Sequence, residues 1–134
     1  MQSAFNKSNT ILLLDDEFDI MTVLKQGLGK RGFNVSGFTD PLLALEHFQT
    51  NSGQYGLVIS DLRMPQMNGY EFVKRIKKIK PFVKIFLMTS FEIDENEFRR
   101  LLQSVKIDEL MQKPISFKSL AEIISKHINI EIRA

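Results

Sequence analysis

Val58-Ile59-Ser60-Asp61-Leu62-Arg63-Met64-Pro65-Gln66-Met67-Asn68-Gly69 is the stretch on which the fold turns. An apolar run ends abruptly in a carboxylate, a loop with Pro65 and Gly69 follows, and a helical pattern then begins. A chain that must hold one acid at the C-terminal edge of a parallel sheet has this form. An earlier apolar run, Thr10-Ile11-Leu12-Leu13-Leu14, ends in two more acids, Asp15 and Asp16. Carboxylates at neighbouring strand ends repel one another unless a cation sits among them.

Outward from these runs, strand-like segments are expected at Thr10–Leu14, Asn34–Phe38, Tyr55–Ser60 and Lys84–Met88, with a weaker one at Asp108–Gln112. Short runs rich in Ile, Val, Leu and Phe suit strands buried on both faces. Helical spacing fills the intervals. Phe18–Lys30 repeats Met21, Leu24 and Leu28, and Asp40–Gln49 opens with Asp at the cap and Pro41 at the first helical position. Asn68–Lys80 turns Phe72, Val73, Ile76 and Ile79 inward and Lys74, Arg75, Lys77 and Lys78 outward. Asp94–Ser104 starts with Asp94 and Glu97 at capping-box spacing, and Ser116–Ile128 repeats Leu120, Ile123, Ile124 and Ile128. Strand and helix alternate throughout, which predicts an α/β fold: one doubly wound, five-stranded parallel sheet with five flanking helices.

Composition narrows the function. The chain has 134 residues, 43% hydrophobic and 25% charged, enough for one core. A net charge of +2 is too small to imply nucleic-acid binding. Without cysteine, disulfides, thiolate metal sites and cysteine nucleophiles are excluded, and His47 and His127 are too few for a histidine zinc site. No apolar run spans a bilayer and the first residues carry no secretion segment, so a cytoplasmic protein is expected. Residues 1–8 read as a lead-in, 9–130 as the domain and 131–134 as a tail.

Five residues fall at strand ends, where ligands gather in open parallel sheets: Asp15 and Asp16, then Asp61, Thr89 and Lys113. The carboxylates suit Mg²⁺, which prefers oxygen ligands. Asp61 can act as a weak oxygen nucleophile toward phosphorus, Lys113 offers a positive charge to a phosphoryl oxygen, and the Thr89 hydroxyl can donate to another. Taken singly, each has an ordinary structural reading: Asp16 as a helix cap, Thr89 as packing, Lys113 as a surface lysine. Their joint placement argues against coincidence.

Together, Ile11-Leu12-Leu13-Leu14-Asp15-Asp16-Glu17, the Asp61–Gly69 stretch, Met88-Thr89-Ser90 and Lys113-Pro114 resemble the receiver domain of two-component response regulators. The resemblance runs from about Asn9 to Ile128 and implies the flavodoxin-like strand order 2-1-3-4-5. It also implies that Asp61 accepts a phosphoryl group from a histidine kinase or histidine phosphotransfer protein. Mg²⁺ would be bound by Asp16 and Asp61 directly, by Asp15 through water and by the Arg63 carbonyl. Thr89 and Lys113 would contact the phosphoryl group, and a downstream protein would read the switch. Homodimer formation on phosphorylation is compatible with it, and this domain would bind neither nucleic acid nor membrane.

The chain also departs from the family. Where receivers usually carry an aromatic residue, three positions before the lysine, stands Leu110. The segment between Thr89 and Lys113 is longer than usual, with Lys106 near the place of a helix-ending glycine. Output through a repositioned Asp94–Ser104 helix is therefore expected, and Arg63 and Phe91 are expected to tune the site. Two competing readings are an aspartyl-nucleophile phosphohydrolase and a receiver-like module that does not use phosphate. The first would need an acid two residues after Asp61, where Arg63 stands; the second sits badly with an intact set of site residues.

Overall fold

The computed structural model describes residues 10–90, 96, 99, 100, 103 and 105–128. Five strands, β1 Thr10–Leu14, β2 Asn34–Phe38, β3 Tyr55–Asp61, β4 Lys84–Thr89 and β5 Glu109–Gln112, form one parallel sheet in the order β2-β1-β3-β4-β5. Strand and order expectations hold, with differences only at the ends. Alternate side chains leave a strand on opposite faces, so the unbroken apolar runs serve two cores. Ile11, Leu13, Ile59 and Phe86 point into one, and Leu12, Leu14, Val58 and Leu87 into the other.

Four helices lie among the described residues: α1 Phe18–Lys30, α2 Pro41–Asn51, α3 Gly69–Ile79 and α4 Phe117–His127. The first core is closed by Leu24 and Leu28 of α1 and Leu120 and Ile124 of α4; the second by Phe48 of α2 and Phe72 and Ile76 of α3. Side chains start three of the helices. Asp40 accepts from the Leu42 N–H at 2.9 Å, Asn68 from Glu71 at 2.8 Å and Ser116 from Ser119 at 3.1 Å. At the end of α1, Gly32 takes φ 96° and Phe33 N–H donates back to the Leu28 carbonyl, the left-handed stop that glycine adopts without strain. Most of the expected Asp94–Ser104 helix, with its Asp94–Glu97 pair, lies outside the described residues; Asn96, Arg99, Arg100 and Gln103 are described and helical. Residues 1–8 and 131–134 also lie outside them.

Side-chain placement refines the picture drawn from the chain. By composition the phenylalanines other than Phe91 are expected to fill the core, but Phe18 is 64% exposed and Phe82 95%. Phe18 begins α1 on its outer side, and Phe82 stands on the turn between α3 and β4. The basic face from Lys74 to Lys84, expected from its spacing to be a solvated helix surface, is not uniformly so. Lys77 Nζ donates to the Pro81 and Val83 carbonyls, and Lys80 Nζ to those of Ser52 and Tyr55. Backbone oxygens left over at the end of α3 and the start of β3 attract these ammoniums. The histidines are partnered, His47 with the Tyr55 hydroxyl and His127 with Glu109. Near Lys106, where a helix-ending glycine is missing, the turn is expected to differ in shape, and indeed no described residue other than glycine has positive φ.

The short edge strand β5 is held by Asp108, whose N–H donates to the Ile85 carbonyl and whose carboxylate accepts from the Ile85 N–H, both at 2.8 Å. Asp108→Ala removes that acceptor from a buried amide. It should cost about 1–3 kcal/mol, read as a lower urea midpoint with faster hydrogen exchange at Ile85.

Candidate functional site

Strand register builds the site. Leu14 lies beside Ser60, Asp61 beside Met88 and Thr89 beside Gln112. Past the last paired residues, Asp15 N–H donates to the Phe38 carbonyl at 3.1 Å, Leu62 to Met88 at 2.7 Å and Lys113 to Thr89 at 2.7 Å. These bonds fix Asp15, Asp61, Thr89 and Lys113 along one edge. The first three are buried, and the Lys113 side chain is nearly so.

The chain leaves Asp61 through a tight loop. Gly69 N–H donates to the Leu62 carbonyl at 2.6 Å. A Cβ on Gly69 would collide with the Asp61 carbonyl oxygen and lie 2.8 Å from Leu62 Cα. Absence of a side chain at Gly69 lets α3 start directly behind Asp61. Leu62 and Met64 are buried as the loop's anchors, while Arg63 is exposed.

Lys113 Nζ stands 2.8 Å from Asp15 Oδ2, 3.3 Å from Glu17 Oε1 and 3.4 Å from Asp61 Oδ2. Burial alone would lower its pKa, but the hydrogen bond and charge of Asp15, with Asp61 and Glu17, raise it. Asp61 is pushed up to about 6: burial acts first, the Lys113 charge opposes it, and the Asp15 charge and a hydrogen bond with Asp16 raise it further. Oxygens of Asp15, Asp16 and Asp61 lie within 4.8 Å of one another. An all-oxygen donor set carrying more negative charge than one ammonium balances fits a hard divalent cation.

The edge thus brings together Asp15, Asp16, Asp61 and Lys113, with Thr89 ending the neighbouring strand. Phe91 lies outside the described residues. Leu110 pairs with Leu87 and packs, half-buried, against the core that α2 and α3 close. Glu17 was quoted in the sequence without a role. It completes the carboxylate ring around Lys113, and its N–H donates to Asp15 Oδ1 at 2.9 Å. Its place directly after two site acids was the available signal. Beside Lys113 opens a cleft of about 660 Å³, walled by Ile20, Val23 and Ile115 and rimmed by Glu17 and Asp19.

The family model for the response regulator receiver domain matches residues 11–125. The chain belongs to that family. A DNA-binding transcriptional regulator NtrC of Azospirillum brasilense is 34% identical over 125 residues, covering 90% of this chain and 24% of that protein. The sensor kinase CckA of Brucella abortus is 29% identical over 119 residues, 89% of this chain and 12% of the kinase. The chain therefore spans a quarter or less of these relatives. A solved response regulator receiver domain from Clostridium thermocellum superposes with TM-score 0.79 at 28% identity, covering 90% of this chain and 94% of that one. Among the described residues, no helix of this receiver is long and apolar enough to cross a membrane.

Two predictions follow from the geometry. Gly69→Ala forces the Asp61 carbonyl and the start of α3 apart, at a cost of about 1–3 kcal/mol, and should shift the Asp61 and Leu62 amide resonances. Asp61 binds its proton more tightly folded than unfolded, where 3.8 is its ordinary value. Without metal, its contribution to stability therefore falls as pH rises from about 4 to about 6. Asp61→Asn should abolish that slope and raise stability at pH 7 by up to about 2 kcal/mol, checked by urea denaturation in EDTA.

Proposed function

We propose that this receiver accepts a phosphoryl group on Asp61, coupled to Mg²⁺, from a histidine kinase or histidine phosphotransfer protein in the cytoplasm. The observation that carries this reading is a buried Asp61 carboxylate held between one ammonium and two further acids at a sheet edge. An Asp61 oxygen forms the new bond to phosphorus as the bond from phosphorus to the donor's imidazole nitrogen breaks, and that nitrogen keeps the electron pair and takes a proton from solvent. Asp16 and Asp61 would hold the metal directly, Asp15 through water, and the Arg63 carbonyl would complete the protein ligands. The ion supplies charge neutralisation on the phosphoryl oxygens.

This chain's own residues do the rest. Lys113 already touches Asp61 and Asp15, and it keeps its charge because those acids raise its pKa. It pairs with a phosphoryl oxygen once Asp61 is modified. The buried Thr89 hydroxyl, one strand over, donates to another. Contacts made only in the phosphorylated state shift the balance between two conformations, which is the switch. Leu110 packs into the core in the aromatic's usual place, so the receiver signals without a ring changing rotamer. The domain catalyses its own modification, and copies pair once phosphorylated. Output passes to a downstream protein, not to nucleic acid or membrane by this domain.

Incubation with Mg²⁺ and acetyl phosphate should add one phosphoryl mass to the protein, and peptide mapping should place it on Asp61. Asp61→Asn should remove the label, and Lys113→Ala should slow labelling by about tenfold or more. Labelling of Asp61→Asn at the wild-type rate would sink the assignment.

A further inference from the structure

At the opposite end of the sheet, the turn between α3 and β4 displays Phe82, 95% exposed. A lone exposed apolar side chain is ordinary; this one stands on a turn whose backbone is tied down. Lys77 Nζ grips the carbonyls on either side of it, Pro81 at 3.1 Å and Val83 at 2.9 Å. Lys80 Nζ ties the same turn to the Ser52 and Tyr55 carbonyls at 2.8 and 2.6 Å. Val83 N–H closes the turn on the Lys80 carbonyl at 3.2 Å, and Val83 itself is buried. The backbone on both sides of the ring is thus fixed. Presenting it to a partner costs little further ordering.

Lysines lie on the elements that meet at this turn, and Lys84 and Lys106 act on Lys77, which grips its backbone. Lys78 is exposed on the last turn of α3. Lys84 and Lys106 reach toward Asp108, each at 3.9 Å, with side chains 39% and 78% exposed. That one buried carboxylate serves both, and both ammoniums also act on Lys77, whose pKa burial already lowers. A fixed aromatic within a surplus of lysines complements an apolar side chain flanked by carboxylates. Nucleic acid is disfavoured by the net charge of +2 and by the single aromatic, which offers no run of stacking platforms. We infer that Phe82, with Lys78, Lys84 and Lys106, is a docking surface for an acidic amphipathic segment of a partner protein, at the pole of the sheet away from Asp61.

The test titrates the ¹⁵N-labelled full chain with a peptide of alternating Glu and Leu. A Glu-Ser peptide, oligothymidylate and phosphatidylglycerol vesicles are the comparison ligands. The Glu-Leu peptide should bind most tightly and move the amides of Phe82, Val83 and Lys106. Phe82→Ala should weaken it about tenfold, and Lys78→Glu with Lys106→Glu should abolish it. The proposal is overturned if Phe82→Ala binds as wild type, if the Glu-Ser peptide binds equally well, or if the oligonucleotide or the vesicles bind more tightly. Asp61 labelling by acetyl phosphate should be unchanged in Phe82→Ala. Failure of labelling in the wild type would count against the phosphoacceptor reading alone.

Discussion

Like charge gathered at one sheet edge is the constraint on which the rest of this receiver depends. Asp15 and Asp61 are buried where, among the described residues, Lys113 is the neighbouring ammonium, and Asp16 and Glu17 add to the imbalance. In water such a set would spread apart. Here the strand ends forbid it, because Asp15 is bonded through its backbone to Phe38 and Leu62, next to Asp61, to Met88. Burial first, with the neighbouring acids adding to it against the pull of Lys113, gives Asp61 its high proton affinity. Anything that neutralises the edge, whether proton, metal or altered charge on Asp61, changes the stability of the whole domain.

The sheet tolerates this because its interior is unambiguous. Both faces of β1, β3 and β4 are covered, so a slip in register would gain nothing on either side and would misplace every site residue at once. The loop after Asp61 is fixed just as firmly, by the contact of Gly69 with the Asp61 carbonyl and by buried Leu62 and Met64.

Much of this was legible in the chain. Continuous apolar runs ending in Asp15 and Asp61 gave away a parallel sheet and the edge where chemistry gathers, because doubly covered strands and their polar ends are local signals. Asp40 and Pro41 marked a helix start for the same reason. What stayed hidden depends on long-range geometry. Glu17 carries no spacing rule that points to Lys113, which lies far along the chain. Lys77 and Lys80 looked solvated because periodicity shows which face a residue occupies, not that a carbonyl waits at the end of its side chain. Phe82 was assigned to the core by composition, and only the turn it stands on shows otherwise.

Strand direction has one further consequence. Every strand of a parallel sheet begins at one pole and ends at the other, so the turn before β4 and the acidic edge after it are roughly 20 Å apart. The two poles therefore face opposite ways along the strands. On the functions proposed above, a tether fastened at the Phe82 pole would leave the Asp61 edge open and would raise the local concentration of a phosphodonor sharing the scaffold.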